Sequence, residues 1–451
     1  MPRRRPTRGL TLGVVSLLLG SALPAGAAPP KVQGIGEASV GYTDNVRTTP
    51  DSPAAQGDPR SQSAFLMLSP GVVLAHEASR ALQRLGYRFE YDLYFGESGA
   101  STASNRLDYR GFFDLSPRAA LVLGAAANQS DRFSSYAFAA PGTGPVSVLP
   151  SDSGSFLQAS ADETTSFDIS PLWRVWQAAG VVGDTPLFDS EGPKTLAVAG
   201  RTGAERRFTL DAVGAEARAD YSVVKDGVAG DGTPTGVQRQ VVAGGVAQWR
   251  HDWGPYFTSS AEAGVVRLYR LDSGRGFWSP IGAATLAYVQ EFGDAQLTYA
   301  HAVTTNPLVG QSLVVDDVRL RGALPLLPQN QLALAASAGY QHGRLITEHA
   351  ELAARIDVVL FDVSLSWQVT ELLELGMRYQ HVRQISDAEV PPLPLSFVQN
   401  NVLLGAIVRF PPERGMPRPY RAPRRVDRSD EIREGARPPA QGPRVPGELT
   451  R

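Results

Sequence analysis

The chain has 451 residues, a net charge of −2, 45 glycines, 34 prolines and 43% hydrophobic residues. That length admits several soluble domains or one large barrel, and the apolar content is too high for a wholly disordered chain. With no cysteine and only six scattered histidines, a lipoprotein anchor, a disulfide scaffold, thiol catalysis and a cysteine metal site are excluded, and little is left for a zinc or iron centre.

The N-terminus reads as an export signal. Arg3, Arg4, Arg5 and Arg8 form a basic segment, Leu10 to Leu23 an apolar one, and Ala25-Gly26-Ala27 a small-residue cleavage site, so residues 1–27 are expected to be removed on export from a bacterial cytoplasm. Past this segment no run of 18 or more apolar residues follows, and no transmembrane helix is predicted. Charge is unevenly spread: residues 411–451 hold ten arginines against six acids, leaving residues 29–410 near −10. An acidic body argues against nucleic acid as a partner.

In chain order, strands are predicted at 33–47, 62–76, 82–95, 103–115, 118–133, 155–169, 172–184, 193–202 and 205–224. They continue at 237–250, 255–270, 277–291, 294–305, 311–325, 331–346, 349–368, 373–386 and 397–410. The clearest is the third, where Tyr87, Phe89, Tyr91, Leu93 and Phe95 alternate with Arg88, Glu90, Asp92 and Tyr94. Period-two alternation of this kind gives a strand one apolar and one wet face. Val318, Leu320 and Leu324 against Asp317, Arg319 and Arg321 repeat it, as do Leu375, Met377 and Tyr379 against Glu374, Arg378 and Gln380. The last segment places Val402, Leu404, Ala406, Val408 and Phe410 on one face and ends at Pro411-Pro412, which cannot donate to a ladder. This strand is read as the closing one, resembling the terminal strand by which outer-membrane barrels engage the barrel-assembly machinery. The pair 172–184 and 193–202 carries the weakest alternation; without it sixteen strands remain, still an even number.

The links between strands alternate in length. Short turns such as Ser116-Pro117, Ser170-Pro171 and Gly293-Asp294 follow the even strands, and long Gly/Pro/Ser/Asp runs at 48–61, 134–154, 225–236 and 387–396 follow odd ones. Short turns at one end and long loops at the other, with both termini on the short-turn side, is the asymmetry of outer-membrane barrels. Trp173, Trp176, Trp249, Trp253 and Trp367 all lie near short turns, and only Trp278 near a long loop. Indole rings favour the membrane–water boundary, so these five are candidates for a periplasmic girdle. No repeat of 20–50 residues stands out.

These patterns predict an all-β fold: residues 28–410 as a transmembrane antiparallel up-and-down barrel of about 18 strands, with 16 as the fallback. Strands in hydrocarbon must close on themselves, because each unpaired backbone group costs several kcal/mol there. The apolar faces would meet outer-membrane lipid, and Arg88, Glu90, Asp92, Arg110, Glu262, Arg319, Arg321, Glu374 and Arg378 would line a wet lumen. Residues 411–451, with nine prolines and ten arginines, are expected to stay disordered in the periplasm. No G-x-S-x-G elbow occurs, and Gly227, Asp231 and Gly232 lack EF-loop spacing, so no enzyme, cofactor or metal is expected. His301, His342, His349 and His381 are read as solvated residues at outer strand ends.

The first strand carries Gly41-Tyr42-Thr43-Asp44-Asn45-Val46 after Ala38 and Val40. This resembles the start of the β-barrel porin type 2 family, and the family in turn is similar to the outer-membrane barrels of exopolysaccharide and capsule secretion. The resemblance implies a passive aqueous conduit exporting a polysaccharide, with a periplasmic polysaccharide-export protein as its partner. Two alternatives stand beside it: a general or substrate-selective diffusion porin, and an adhesion or scaffold barrel without transport.

Overall fold

A computed structural model describes residues 29–46, 61–97, 100–130, 155–187, 194–225, 236–290, 292–306, 311–327, 331–346, 355–387 and 396–412. The export signal, the calcium-like loop residues, His349 and nearly all of the tail lie outside them. Eighteen strands run in order: β1 Lys31–Thr43, β2 Ser63–Ala78, β3 Ala81–Tyr94, β4 Thr102–Ser116, β5 Ala119–Ser130 and β6 Phe156–Ser170. Next come β7 Trp173–Pro186, β8 Lys194–Arg207, β9 Asp211–Lys225, β10 Gln238–Asp252, β11 Phe257–Arg270 and β12 Gly276–Gln290. The last six are β13 Gly293–Asn306, β14 Gln311–Pro325, β15 Leu332–Leu345, β16 Arg355–Gln368, β17 Leu373–Ser386 and β18 Phe397–Phe410.

Each strand pairs antiparallel with its predecessor and successor, and β1 pairs with β18 from Gly34↔Phe410 to Thr43↔Asn401. The sheet is therefore a closed barrel with no edge left to template another chain. Alternation within strands carries around the ring, because the registers set like faces opposite one another. On β1, β2 and β18 the file Tyr42, Ala64 and Val402 is one face, and Thr43, Ser63 and Asn401 the other. The first file is the outside: Leu404, Val408 and Phe410 are 52%, 48% and 70% exposed. The second faces inward, where Gln33, Ser39, Thr43 and Ser69 are buried.

Both members of the doubtful pair, β7 and β8, are present and fully laddered, so the sixteen-strand fallback falls away. The expected break near residue 203 is absent; β8 runs on to Arg207 and turns at 208–210. Gly203, which read as a turn, instead lies under the Trp176 ring, where a Cβ would come within 2.7 Å of the indole. β16 is described from Arg355, and its expected start at 349 lies outside the described residues.

Turn chemistry explains the tight end. Ser116 Oγ accepts from the Arg118 amide at 3.2 Å. Ser170 Oγ accepts from Leu172 and Trp173 at 3.3 and 3.2 Å, and Thr370 Oγ1 from Leu372 and Leu373 at 3.2 and 3.0 Å. Such hydroxyls take the place of a ladder partner at the reversal. Gly293, at φ 144°, makes the β12–β13 turn where a side chain would strike the Ala323 carbonyl.

Besides the register shifts at Asp114/Ser116 and Asp168/Ser170, two features break the uniform wall. At Gly244 and Gly264, β10 and β11 approach so closely that a Cβ on either would overlap a carbonyl of the other strand. Between β12 and β13 the ladder stops at Gly282↔His301, although β12 stays paired with β11 to Gly276 and β13 with β14 to Asn306. The wall thus forks at its loop end.

Candidate functional site

The inward file lines the interior of the closed sheet. All nine residues proposed from the sequence stand on it. Arg88, Glu90 and Asp92 face Arg106, Ser104 and Thr102 of β4, and Arg110 lies between Arg84 and Gly124. Glu262 is opposite Gln248 and Ala283, Arg319 and Arg321 opposite Thr298 and Gln296, and Glu374 and Arg378 opposite Ile407 and Leu403.

Most of these charges are tied to a neighbour. Arg88 reaches Glu37 at 3.3 Å, Arg218 reaches Glu262 at 3.4 Å, and Arg319 holds Asp317 at 2.8 Å. Arg378 bonds Asp362 at 2.6 Å and Arg409 bonds Glu374 at 2.7 Å. A group built around a buried arginine lies near the turn end of β6–β8 and was not singled out from the sequence. There Arg174, only 4% exposed, contacts Asp168 at 2.8 Å and Glu205 at 3.9 Å, while Arg207 contacts Glu205 at 2.5 Å and Asp168 at 3.6 Å. Two cations and two anions alternate there, which is how buried charges are tolerated. Strand parity places each residue on this face, but its partner depends on register set by turns elsewhere.

The inner wall is not polar throughout. Toward the loop end, Phe65 and Tyr94, with ring centroids 5.2 Å apart, pack with Val46 and Ala100. Across the barrel, Val242, Val246, Val266, Leu268 and Ile281 form a second apolar cluster, joined by Val303 and Ile346. Behind the fork, Ser312 Oγ bonds Gln240 and Arg270 bonds the Ile346 carbonyl, linking strands that are not neighbours. Sequence alternation marked none of this, because inward valines look like any buried strand residue.

On the outside, Trp173, Trp249, Trp253 and Trp367 are exposed near the turns. Arg206 lies over Trp173 and Phe208 at 5.9 and 5.1 Å, and Trp253 Nε1 donates to Ser259 at 2.8 Å. Trp176 is a correction to the expected girdle: it points inward against Gly203. Trp173 and Trp176 are three apart, and residues an odd number apart in a strand face opposite ways.

A second correction concerns repeats. Tyr299-x-His301, Tyr340-x-His342 and Tyr379-x-His381 recur on alternate strands β13, β15 and β17, all facing out. Tyr299 Oη and His301 Nδ1 both meet Asp316 at 2.9 and 2.8 Å, and Tyr340 and His342 meet Asp357 at 2.7 and 2.8 Å. Tyr379 and His381 meet Asn400 at 2.9 and 2.8 Å, and Asn400 Nδ2 donates to Asp44 at 2.5 Å. These histidines are bonded members of a ladder, not loosely solvated ends. The ladder stands above Leu297, Leu320, Ala338, Phe361 and Leu404 on the same file, toward the long loops. Among the described residues, no group of three or more His, Asp or Glu is placed to hold a metal ion.

No protein-family model and no curated protein matches the chain. Solved structures to which it is similar include the outer membrane protein OpdK of Pseudomonas aeruginosa, at 12% identity and a TM-score of 0.44 over 84% of this chain and 99% of that one. OccK9 (OpdG) of the same organism is 13% identical with a TM-score of 0.45, over 84% and 98% of the two chains. The FrpB iron transporter of Neisseria meningitidis, F5-1 variant, is 8% identical with a TM-score of 0.46, over 84% and 81%.

Proposed function

We propose that this chain is a bacterial outer-membrane channel through which small polar solutes diffuse, with its termini and short turns in the periplasm and its long loops outside. The observation that carries the reading is the closed ring of eighteen strands with an apolar outer file and a charged, hydrogen-bonding inner one. A barrel of about eight strands is filled by its own side chains, whereas one of 16–18 leaves an aqueous interior unless it is plugged. An outer file of exposed Leu, Val, Phe and Tyr would be ruinous in water and is at home in lipid. Paired inner charges give a wall that hydrogen-bonds passing solutes without binding any of them tightly.

The diffusion reading displaces polysaccharide export, the version drawn from the resemblance. Export would need a wide, uniformly polar loop-end mouth, and apolar clusters at Phe65/Tyr94 and at Val242/Val266 occupy that region of the wall. Liposome swelling tests the proposal. Vesicles holding the purified full chain should swell in small sugars at rates that fall with solute size, without any partner protein. Vesicles that stay closed to every solute would end it.

A further inference from the structure

We infer that the outer surface of β15–β17, just beyond the Tyr–His–Asp ladder, is a binding site for a membrane lipid with an anionic phosphate headgroup; this rests on the barrel's lying in a bilayer. Arg344 on β15 and Arg355 on β16 are direct cross-strand partners on the outward file. Like charges set opposite one another destabilise a strand pair unless something neutralises them. Arg383 on β17 lies opposite Val359, diagonal to Asp357, on the same face. All three are exposed, and among the described residues none of them forms an ion pair. Asp357 and Asp387 are the acids beside them, and the Asp357 carboxylate is already engaged by Tyr340 and His342. Asp387 is engaged by the Arg355 backbone amide at 2.5 Å. Three guanidinium groups against the Asp357 and Asp387 carboxylates leave an excess of one positive charge among the described residues, which a lipid phosphate matches.

The position selects a lipid over a free ion. The outward files beneath these arginines run through Tyr340, Ala338 and Leu334 on β15 and through Val359, Phe361 and Leu365 on β16. A molecule seated there has its acyl chains against an apolar wall and its phosphates within reach of the planar donor forks, which suit phosphate oxygens. A second like-charged outward pair, Lys194↔Lys225 on β8 and β9, sits at the same loop end, so the bias is not confined to one hairpin.

Native mass spectrometry of the detergent-solubilised full chain tests this with cardiolipin as the doubly charged probe, phosphatidylcholine as the neutral one and inorganic phosphate as the free ion. Cardiolipin should be retained selectively. The triple variant R344Q/R355Q/R383Q should bind it roughly a hundredfold more weakly, about fivefold per arginine, since each basic residue at an anionic lipid surface is worth about 1 kcal/mol. Phosphatidylcholine retention should not change. Equal cardiolipin retention by both proteins, or displacement of cardiolipin by inorganic phosphate, would overturn the assignment. Swelling assays on the same two proteins separate the readings: loss of cardiolipin binding with sugar entry intact supports the lipid site, and selective cardiolipin binding by a chain that passes no sugar supports it while removing the diffusion channel.

Discussion

Ser337 and Ala338 are consecutive residues of β15, and the same substitution at each should have very different consequences. Ser337 faces inward between Arg321 of β14 and Asp362 of β16. Ala338 faces outward between Leu320 and Phe361. At a rise of roughly 3.4 Å per residue and a tilt of about 40°, Ala338 stands roughly 16 Å above Leu332, near the middle of an apolar band about 25 Å tall. Ala338→Arg should therefore cost about 2–4 kcal/mol, the penalty for arginine at the bilayer midplane. That corresponds to roughly a 30- to 1000-fold shift in the folding equilibrium in lipid. Ser337→Arg puts its guanidinium in a wet lumen between the Arg321 guanidinium and the Asp362 carboxylate, where like and opposite charges offset, and should stay within about 1 kcal/mol of the parent. Guanidinium titration of folding into vesicles, read by tryptophan fluorescence, measures both. Equal penalties at the two positions would refute the assignment of faces, and with it the membrane barrel.

Other perturbations probe other parts of the wall. Arg174→Met removes the cation enclosed by Asp168 and Glu205 and should cost about 3 kcal/mol, seen as a lowered midpoint in the same titration, because two carboxylates lose a buried partner. In the ladder, Asp316→Asn should be nearly neutral, since Asn400 already fills the equivalent place in the third repeat. Asp316→Leu should cost about 1–3 kcal/mol by stranding Tyr299 and His301. Gly264→Ala forces β10 and β11 apart and should cost about 1–3 kcal/mol, whereas Gly36→Ala, with open space around its Cβ position, should be silent. Heat-modifiable migration on gels screens all of these variants before the titrations.

Much of the fold is readable in the chain because a strand's two faces are written at period two, and residues such as Tyr87 to Asp92 state both at once. The turn ends are equally plain where Ser116, Ser170 and Thr370 supply hydroxyls for the reversal. Gly203 misled because glycine marks turns and also makes room for a large ring, and only the neighbouring Trp176 distinguishes the two. The Tyr-x-His repeat escaped notice because its signal is two residues wide and its acceptors lie on the next strand: Asp316, Asp357 and Asn400. Ion-pair partners such as Arg378 and Asp362 share a face by parity, yet which carboxylate meets which guanidinium follows from accumulated stagger around the ring.

The parting of β12 from β13 above Gly282 gives this cylinder a place where it is not sewn shut. Backbone amides from Ala302 to Asn306, and those of Gly276 to Ser279 and of Ile281, each lean on one neighbouring strand only, so exchange with deuterium should begin there and spread downward. Stitching the gap with an engineered cystine in this otherwise cysteine-free chain would stiffen the rim. Comparing solute entry before and after such a suture would show whether the slit is idle masonry or a working hinge of the mouth.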